Sequence, residues 1–314
     1  MDFFQNHTTF LILGHIEPDG DCIASQAVLA SALQRLGKRT IVANAGPFDR
    51  QEIIPYKDRF IVPTEATKPP THDAIIVVDC PGSSRVGPIL SEWIGNSPLL
   101  IVDHHPPEGN DDAIRLVRTE TPAAVILVYH ILVALELSLT PEEAQLLFLG
   151  LATDTGFFHF LDATQTEAFH VAAALTASGA SPRDTARHIS AGRSLDSRMV
   201  LSRMLGRVEQ IQDGAFLITW RTRADEQEFP GPGDSAALHH LLLSVEGVQA
   251  IAVVREKENG CSISFRSASD VDVAQIARQF NGGGHVKAAG ASSPLPLLEV
   301  LTKLRETFLA TPRM

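Results

Sequence analysis

The chain has 314 residues, 44% of them apolar, which suits one large or two ordinary globular cores and is too apolar for a disordered protein. No apolar run has the length of a bilayer span and no basic-then-apolar leader opens the chain, so a cytoplasmic protein with no membrane partner is expected. A net charge of −11 without any Lys/Arg-rich block argues against tracking long-strand nucleic acid, which depends on many phosphate contacts.

Residues 1–180 alternate strand and helix patterns. Phe10–Gly14 reads as a strand, Cys22–Leu36 has helical apolar spacing, and Lys38–Ala43 is a strand again. The runs 74–79 and 99–103 are short, continuously apolar and end in Asp79 and Asp103, as strands buried on both faces of a parallel sheet do. Pro122–Leu137 and Pro141–Ala152 read as helices, the second opened by Thr140 as N-cap with Glu143 three residues on. The alternation implies an α/β fold with a mostly parallel sheet flanked by helices. Residues 181–207 are polar and arginine-rich and read as a linker or connecting helix. From 208 a smaller α+β domain follows, running to 314. One hairpin is expected at Val208–Trp220 with a two-residue turn at Asp213-Gly214, and another at Ile251–Phe265 turning at Asn259-Gly260. Helices are expected at Val271–Phe280 and Leu295–Leu309.

Charge is divided unevenly: residues 1–180 hold 10 Lys+Arg against 22 Asp+Glu, residues 181–314 hold 16 against 15. Cys22, Cys80 and Cys261 are scattered without metal-ligand or disulfide spacing and read as small buried thiols. His130 and His170 read as structural helix residues, His239-His240 as helix surface, and Trp220 as core.

Four clusters carry the chemistry. They are His15-x-x-x-Asp19-x-Asp21, Asp79, Asp103-His104-His105, and Thr153-Asp154-Thr155-Gly156. Three stand where a strand stops, and in open parallel sheets ligands bind at those carboxyl ends. Asp19, Asp21, Asp79 and Asp154 gathered in one cleft would repel strongly. Two divalent cations remove that conflict, and oxygen ligands with imidazole favour Mn²⁺, with Mg²⁺ as the other choice. A metal pair roughly 3.5–4 Å apart suits hydrolysis of a phosphate ester.

The same order of motifs, with Arg85 six residues after Asp79, resembles the DHH phosphoesterase superfamily. The segment Gly282-Gly283-Gly284-His285-Val286-Lys287-Ala288-Ala289-Gly290 is similar to that superfamily's DHHA1 domain. The chain's length and two-domain plan most resemble the bacterial nanoRNase/pAp-phosphatase branch. The resemblance implies a DHH catalytic domain over 1–180 and a DHHA1 substrate domain over 208–314. It implies His15, Asp19, Asp21, Asp79, His104 and Asp154 as metal ligands, His105 on the substrate phosphate, and Asp103 orienting an imidazole. Arg85, Arg266, Gly282, Gly283, Gly284 and His285 would hold substrate. Two departures bear on substrate choice: His159 stands where the branch often has Arg, and Asn281 where it often has a fourth Gly. The resemblance implies short RNA and adenosine 3′,5′-bisphosphate (pAp) as substrates, with cyclic or linear dinucleotides (c-di-AMP, pApA) as the alternative. A non-catalytic nucleotide sensor is the reading of another class; it predicts a missing ligand, and none is missing. Oligomeric state stays open, a homodimer included.

Overall fold

The computed structural model describes residues 2–190, 193–231 and 233–313. They form two compact units, residues 1–192 and 193–314, so the arginine-rich stretch at 181–207 is divided between them as two helices.

The first unit is built on a five-stranded parallel sheet. Its strands are β1 (Thr9–Gly14), β2 (Arg39–Ala43), β3 (Ala74–Val78), β4 (Leu99–Asp103) and β5 (Ile114–Val117), in the order β2-β1-β3-β4-β5. After a short α1 (Asp2–Asn6), the helices are α2 (Gly20–Arg35), α3 (Pro88–Ile94), α4 (Ala124–Ala134), α5 (Pro141–Asp154), α6 (Thr166–Ala177) and α7 (Pro182–Ser190). Alternate strand residues take opposite faces. Phe10, Ile12, Ile76, Val78 and Val102 pack under α2, α4 and α5, while Leu11, Leu13, Ile75, Val77 and Ile101 pack on α3 through Leu90 and Trp93. That double burial is why β3, and β4 up to its closing Asp103, are apolar at every position. Thr140 and Glu143 form the expected reciprocal cap at the start of α5. Gly150 lets α5 approach closely: a Cβ there would lie 2.6 Å from Val125 Cγ1 and 3.1 Å from the Asp21 Cα.

This strand order reverses direction between β1 and β3. Loops leaving those two strands part to opposite faces, and the crevice between them is where such sheets bind ligands.

The second unit holds a six-stranded mixed sheet in the order β10-β11-β9-β8-β7-β6. The strands are β6 (Glu209–Ile211), β7 (Phe216–Arg221), β8 (Ala250–Lys257), β9 (Gly260–Ser267), β10 (Gly283–His285) and β11 (Ala288–Ser293), with β7 and β8 parallel. One face packs on α11 (Val273–Arg278) and α12 (Leu297–Ala310), the other on α8 (Leu195–Gly206) and α10 (Ser235–Leu243); α9 (Arg223–Glu228) follows β7.

The first hairpin keeps its expected register with a longer connection, and the second needs correction in register. Ile211 pairs with Phe216, so the first connection spans 212–215, with Gln212 and Asp213 as well as Gly214 at positive φ. Lys257 pairs with Gly260, so the second turn is Glu258-Asn259 and Gly260 already belongs to β9. Its glycine serves close approach: a Cβ would meet the Ser293 carbonyl oxygen at 2.0 Å. His239 is buried against β9 and not a surface residue, whereas His240 is exposed.

Candidate metal centre

His15 directly follows β1 and Asp79 directly follows β3, so the strand-order reversal places them side by side. His15 Nε2 lies 3.4 Å from Asp79 Oδ2 and 3.8 Å from Asp19 Oδ1. His104, just past β4, brings its Nε2 to 3.3 Å from Asp79 Oδ1, 3.4 Å from Asp154 Oδ2 and 3.9 Å from Asp21 Oδ2. Asp154 is the last residue of α5, whose C-terminal end therefore reaches the same sheet edge. The structure thus gathers all six of these side chains. Asp79 adopts a left-handed backbone (φ 54°), a conformation an aspartate tolerates at a cost and which recurs at functional sites.

Three of these side chains, Asp19, Asp21 and His104, are held by partners away from the cluster centre, and His15 through its backbone. Asp19 is the N-cap of α2, its Oδ1 accepting from the Asp21 and Cys22 N–H groups at 3.1 Å each. The fully buried Asp21 accepts from the backbone N–H of Ala124 at 2.6 Å and of Val125 at 2.8 Å, capping α4 from a distant part of the chain. His104 Nδ1 bonds the Thr121 carbonyl at 3.2 Å, which leaves Nε2 for the cluster. The carbonyl of His15 accepts from Asn44 Nδ2 at 3.2 Å, and Gln26 ties Asn44 to the ends of β1 and β2. These helpers were not found from the sequence. Backbone donors carry no residue signature, and Thr121, Asn44 and Gln26 lie far from the motifs they serve.

The electrostatics are those of crowded acids. Burial, then the charges of Asp79 and Asp154, push Asp21 well above the carboxylate range. Burial and Asp79 raise Asp154 to about 7. Asp79 goes the other way: burial opposes its charge, but the His104 and His15 imidazoles hold it well below the usual value. Burial also works against a charged His104, yet Asp79, Asp21 and Asp154 outweigh it and raise the imidazole to about 10. Cys22 lies near His15 and Asp79, but burial pushes its thiol up to about 11, so at neutral pH it is a neutral packing group. Asp79 Oδ1 and His104 Nε2 are both buried and neither makes a hydrogen bond. Such orphaned atoms facing a ring of carboxylates fit a divalent cation bound by oxygen and imidazole. Among the described residues, three overlapping groups drawn from these clusters could hold an ion: Asp79, Asp103, His104 and His105; His15, Cys22 and Asp79; and Asp21, His104 and Asp154.

His105 stands at the rim, half exposed, with Nδ1 bonded to Asp103 Oδ1 at 2.9 Å; that bond raises its pKa. Asp103 itself is fully buried.

The DHH family, N-terminal domain, matches residues 9–151, and the DHHA1 domain matches residues 224–311. The chain therefore carries a DHH N-terminal domain followed by a DHHA1 domain. It is 29% identical, over 90% of its length and 83% of the relative's, to a bifunctional oligoribonuclease and PAP phosphatase NrnA of Thermus thermophilus. Its fold is similar to that of an exopolyphosphatase-related protein from Bacteroides fragilis, with a TM-score of 0.84 at 21% identity, covering 98% of this chain and 93% of that one. It is also similar in fold to the exonuclease RecJ bound to manganese, with a TM-score of 0.55 at 16% identity, covering 98% and 92%.

The other expected site residues of this DHH chain are placed as follows. Arg85 lies in the 3-10 turn Ser83–Val86, exposed, and its carbonyl accepts from the Ile16 N–H at 2.9 Å, bracing the loop after β1. In the DHHA1 unit, Ala288 pairs with both Arg266 and His285, so those two residues occupy the same face two strands apart. Gly282–Gly284 lead into and form the edge strand β10; a Cβ on Gly282 would lie 2.1 Å from the Gly290 carbonyl oxygen. Asn281, where the family often has Gly, sits at φ 59°, a left-handed position that Asn tolerates. His159 is exposed in the loop after Asp154, its Nδ1 2.8 Å from the Gly156 carbonyl.

Proposed function

We propose that the chain is a metal-dependent phosphoesterase that hydrolyses oligoribonucleotides of a few residues and removes the 3′-phosphate of pAp, with Mn²⁺ as its ion. One observation carries the reading. Asp79 Oδ1 and His104 Nε2 are buried 3.3 Å apart without a hydrogen bond, inside a ring of acids whose charge a divalent cation would balance. The likeness to the Thermus thermophilus oligoribonuclease and PAP phosphatase supports the substrate class, and the manganese of RecJ supports the ion.

His15, Asp19, Asp21, Asp79, His104 and Asp154 would hold two cations. When bound, such a pair supplies an acidified water and neutralises charge on the phosphoryl oxygens. The chain's own groups do the rest. Asp103 accepts from His105 Nδ1–H and raises the pKa of the ring, which favours the imidazolium, whose Nε2–H would donate to the phosphate as negative charge builds. The Asp21 and His104 anchors hold their ligand atoms before any ion arrives, which limits reorganisation on binding. Arg266 and His285, with the glycine edge strand, would take a phosphate or base at the far end of a short substrate.

The test is a substrate panel with Mn²⁺-loaded protein: pAp, a labelled dinucleotide, c-di-AMP and a long single strand. Rapid turnover of pAp and the dinucleotide is expected, with Asp79→Ala and Asp154→Ala each slower by at least about 100-fold. Full activity of Asp154→Ala would sink the two-cation assignment. Equal cleavage of the long strand would overturn the short-substrate reading.

A further inference from the structure

The DHHA1 unit contains a cavity of about 250 Å³ between the sheet and the helices α8 and α10. At about 30 Å³ per water that is room for a ligand the size of roughly eight waters. Val200 and Met204 from α8, Leu238 from α10 and Val253 from β8 give it an apolar wall. At the other end stand Arg221, the last residue of β7, and Ser262 on β9.

Arg221 is the unexpected lining group. Its side chain is 6% exposed, and its Nε makes no hydrogen bond. The carboxylate facing that Nε is Glu226, whose Oε1 is 3.6 Å away and is already held by Arg255 Nε at 2.6 Å. Arg221 otherwise makes a 3.3 Å bond to the Gly231 carbonyl. A guanidinium has five N–H donors, and a buried cation with half a counterion costs folding energy unless something else pairs with it.

Among the described residues, the surrounding charges give no further counterion. Asp234, at the N-terminus of α10, is taken by Arg193 at 3.4 Å and Arg198 at 2.7 Å. Around the cavity Arg193, Arg198, Arg221 and Arg255 therefore face two carboxylates, Glu226 and Asp234, a surplus of two positive charges. His239, also lining the cavity, adds none at neutral pH: burial, with the nearby Arg266 charge, pulls it down to about 4. Arg266, Gly282–Gly284 and His285, the positions assigned to substrate, are absent from the lining.

We propose that this cavity is a second ligand site, which takes a small organic anion with its phosphate or carboxylate on Arg221 and Ser262 and its apolar body against Val200, Met204 and Leu238. The planar guanidinium fork matches either oxyanion in two parallel hydrogen bonds. The site stands independently of the phosphoesterase reading, because it needs neither the metals nor the residues of that centre.

Calorimetric titration of the full chain, with divalent cations chelated, tests it with three probes: phenyl phosphate, benzoate and inorganic phosphate. Saturable binding of phenyl phosphate or benzoate at one site is expected, at least tenfold tighter than inorganic phosphate alone; which of the two binds identifies the phosphate or the carboxylate source. Arg221→Met should weaken it at least tenfold and Arg221→Lys by less, because lysine keeps the charge but not the fork. Leu238→Trp, which fills the cavity, should abolish it, and His285→Ala, on the exposed edge strand β10, should leave it unchanged. Thermal melts establish that each variant is folded. Three outcomes each overturn the proposal: no saturable binding of either organic probe, equal affinity in wild type and Arg221→Met, or loss of binding in His285→Ala.

Discussion

Replacing Asp21 and Asp154 in turn distinguishes a carboxylate that holds the fold from one that strains it. Asp21 accepts two short backbone bonds, 2.6 Å from Ala124 N and 2.8 Å from Val125 N, at the start of α4. The residue at the cap position, Ala123, has no side chain to do this. Each such bond contributes about 0.5–1.5 kcal/mol, a buried N–H left without its acceptor costs about 1–3 kcal/mol, and losing a cap costs up to about 2 kcal/mol. Against this, deleting Asp21 relieves burial of its charge and repulsion from Asp79 and Asp154. The net cost of Asp21→Ala in chelator is therefore about 2–4 kcal/mol. For a unit of 192 residues that is a fall in Tm of about 10 °C. Asp21→Asn, which keeps one acceptor, should fall by about half as much. Asp154 is raised too, to about 7, but among the described residues its carboxylate caps no backbone N–H, so nothing offsets the cost of its charged form at neutral pH, and Asp154→Ala should melt at or slightly above the wild-type temperature. Thermal melts in chelator, repeated with Mn²⁺, read both effects, and both variants should lose the Mn²⁺-dependent rise of the wild type. Wild-type melting of Asp21→Ala in chelator would refute the distant-cap argument. An equal fall in Asp154→Ala would refute the claim of relieved repulsion.

His239 gives a pH test in the DHHA1 unit. Burial holds its folded pKa at about 4, below the ordinary imidazole value of 6.5, so the unfolded chain binds the extra proton between those values. Stability from the neutral imidazole is present above about pH 6.5 and falls by up to about 3 kcal/mol as pH drops toward 4. Urea titrations at pH 7 and 4.5 should show that loss in wild type and much less of it in His239→Leu; parallel losses would contradict the assignment. Asp225, buried in this unit, caps α9 through Thr222 and binds Arg203 and Arg207. Asp225→Ala leaves both arginines without it and should cost about 3–5 kcal/mol by urea denaturation, with Asp225→Asn between the two; a cost under about 1 kcal/mol would contradict a structural role.

The parts of this fold that were legible are those written in local patterns. Continuous apolar runs announced β3 and β4 because both faces of each are buried, and the Thr140–Glu143 cap announced α5 because both partners lie in one turn. The elements that went unread have no such pattern. The edge strand β5 alternates exposed and half-buried residues over only four positions, and β10 is a three-residue glycine strand that pairs only because β11 lies beside it. The second hairpin turn was misplaced because Gly260 looked like a turn residue, whereas it pairs with Lys257 and is needed for contact with the Ser293 carbonyl; the first was centred rightly on Asp213-Gly214 but is four residues long, not two. Burial of His239 depends on β9 passing under α10, a contact between residues far apart in sequence.

In the metal centre, the motifs named the atoms that meet but not what holds them apart. His15 and Asp79 are 64 positions apart along the chain and meet because the sheet reverses its strand order between β1 and β3. The same small region holds a left-handed Asp79 and a left-handed Glu17, two carboxylates raised by burial and crowding, and buried atoms of Asp79, Asp103 and His104 without hydrogen bonds. A left-handed non-glycine residue costs about 1–2 kcal/mol, and each buried polar atom left unmatched adds a cost of similar size. Around it, the elements obey their local rules: the strands are buried as their apolar runs require, and α2 and α5 are capped. Violations of local consistency that cluster at one sheet edge, within an otherwise consistent domain, mark where stability has been given up for chemistry. A cation among these acids would relieve the repulsion and satisfy the orphaned atoms in a single step, which is why the strain and the proposed activity belong to the same residues.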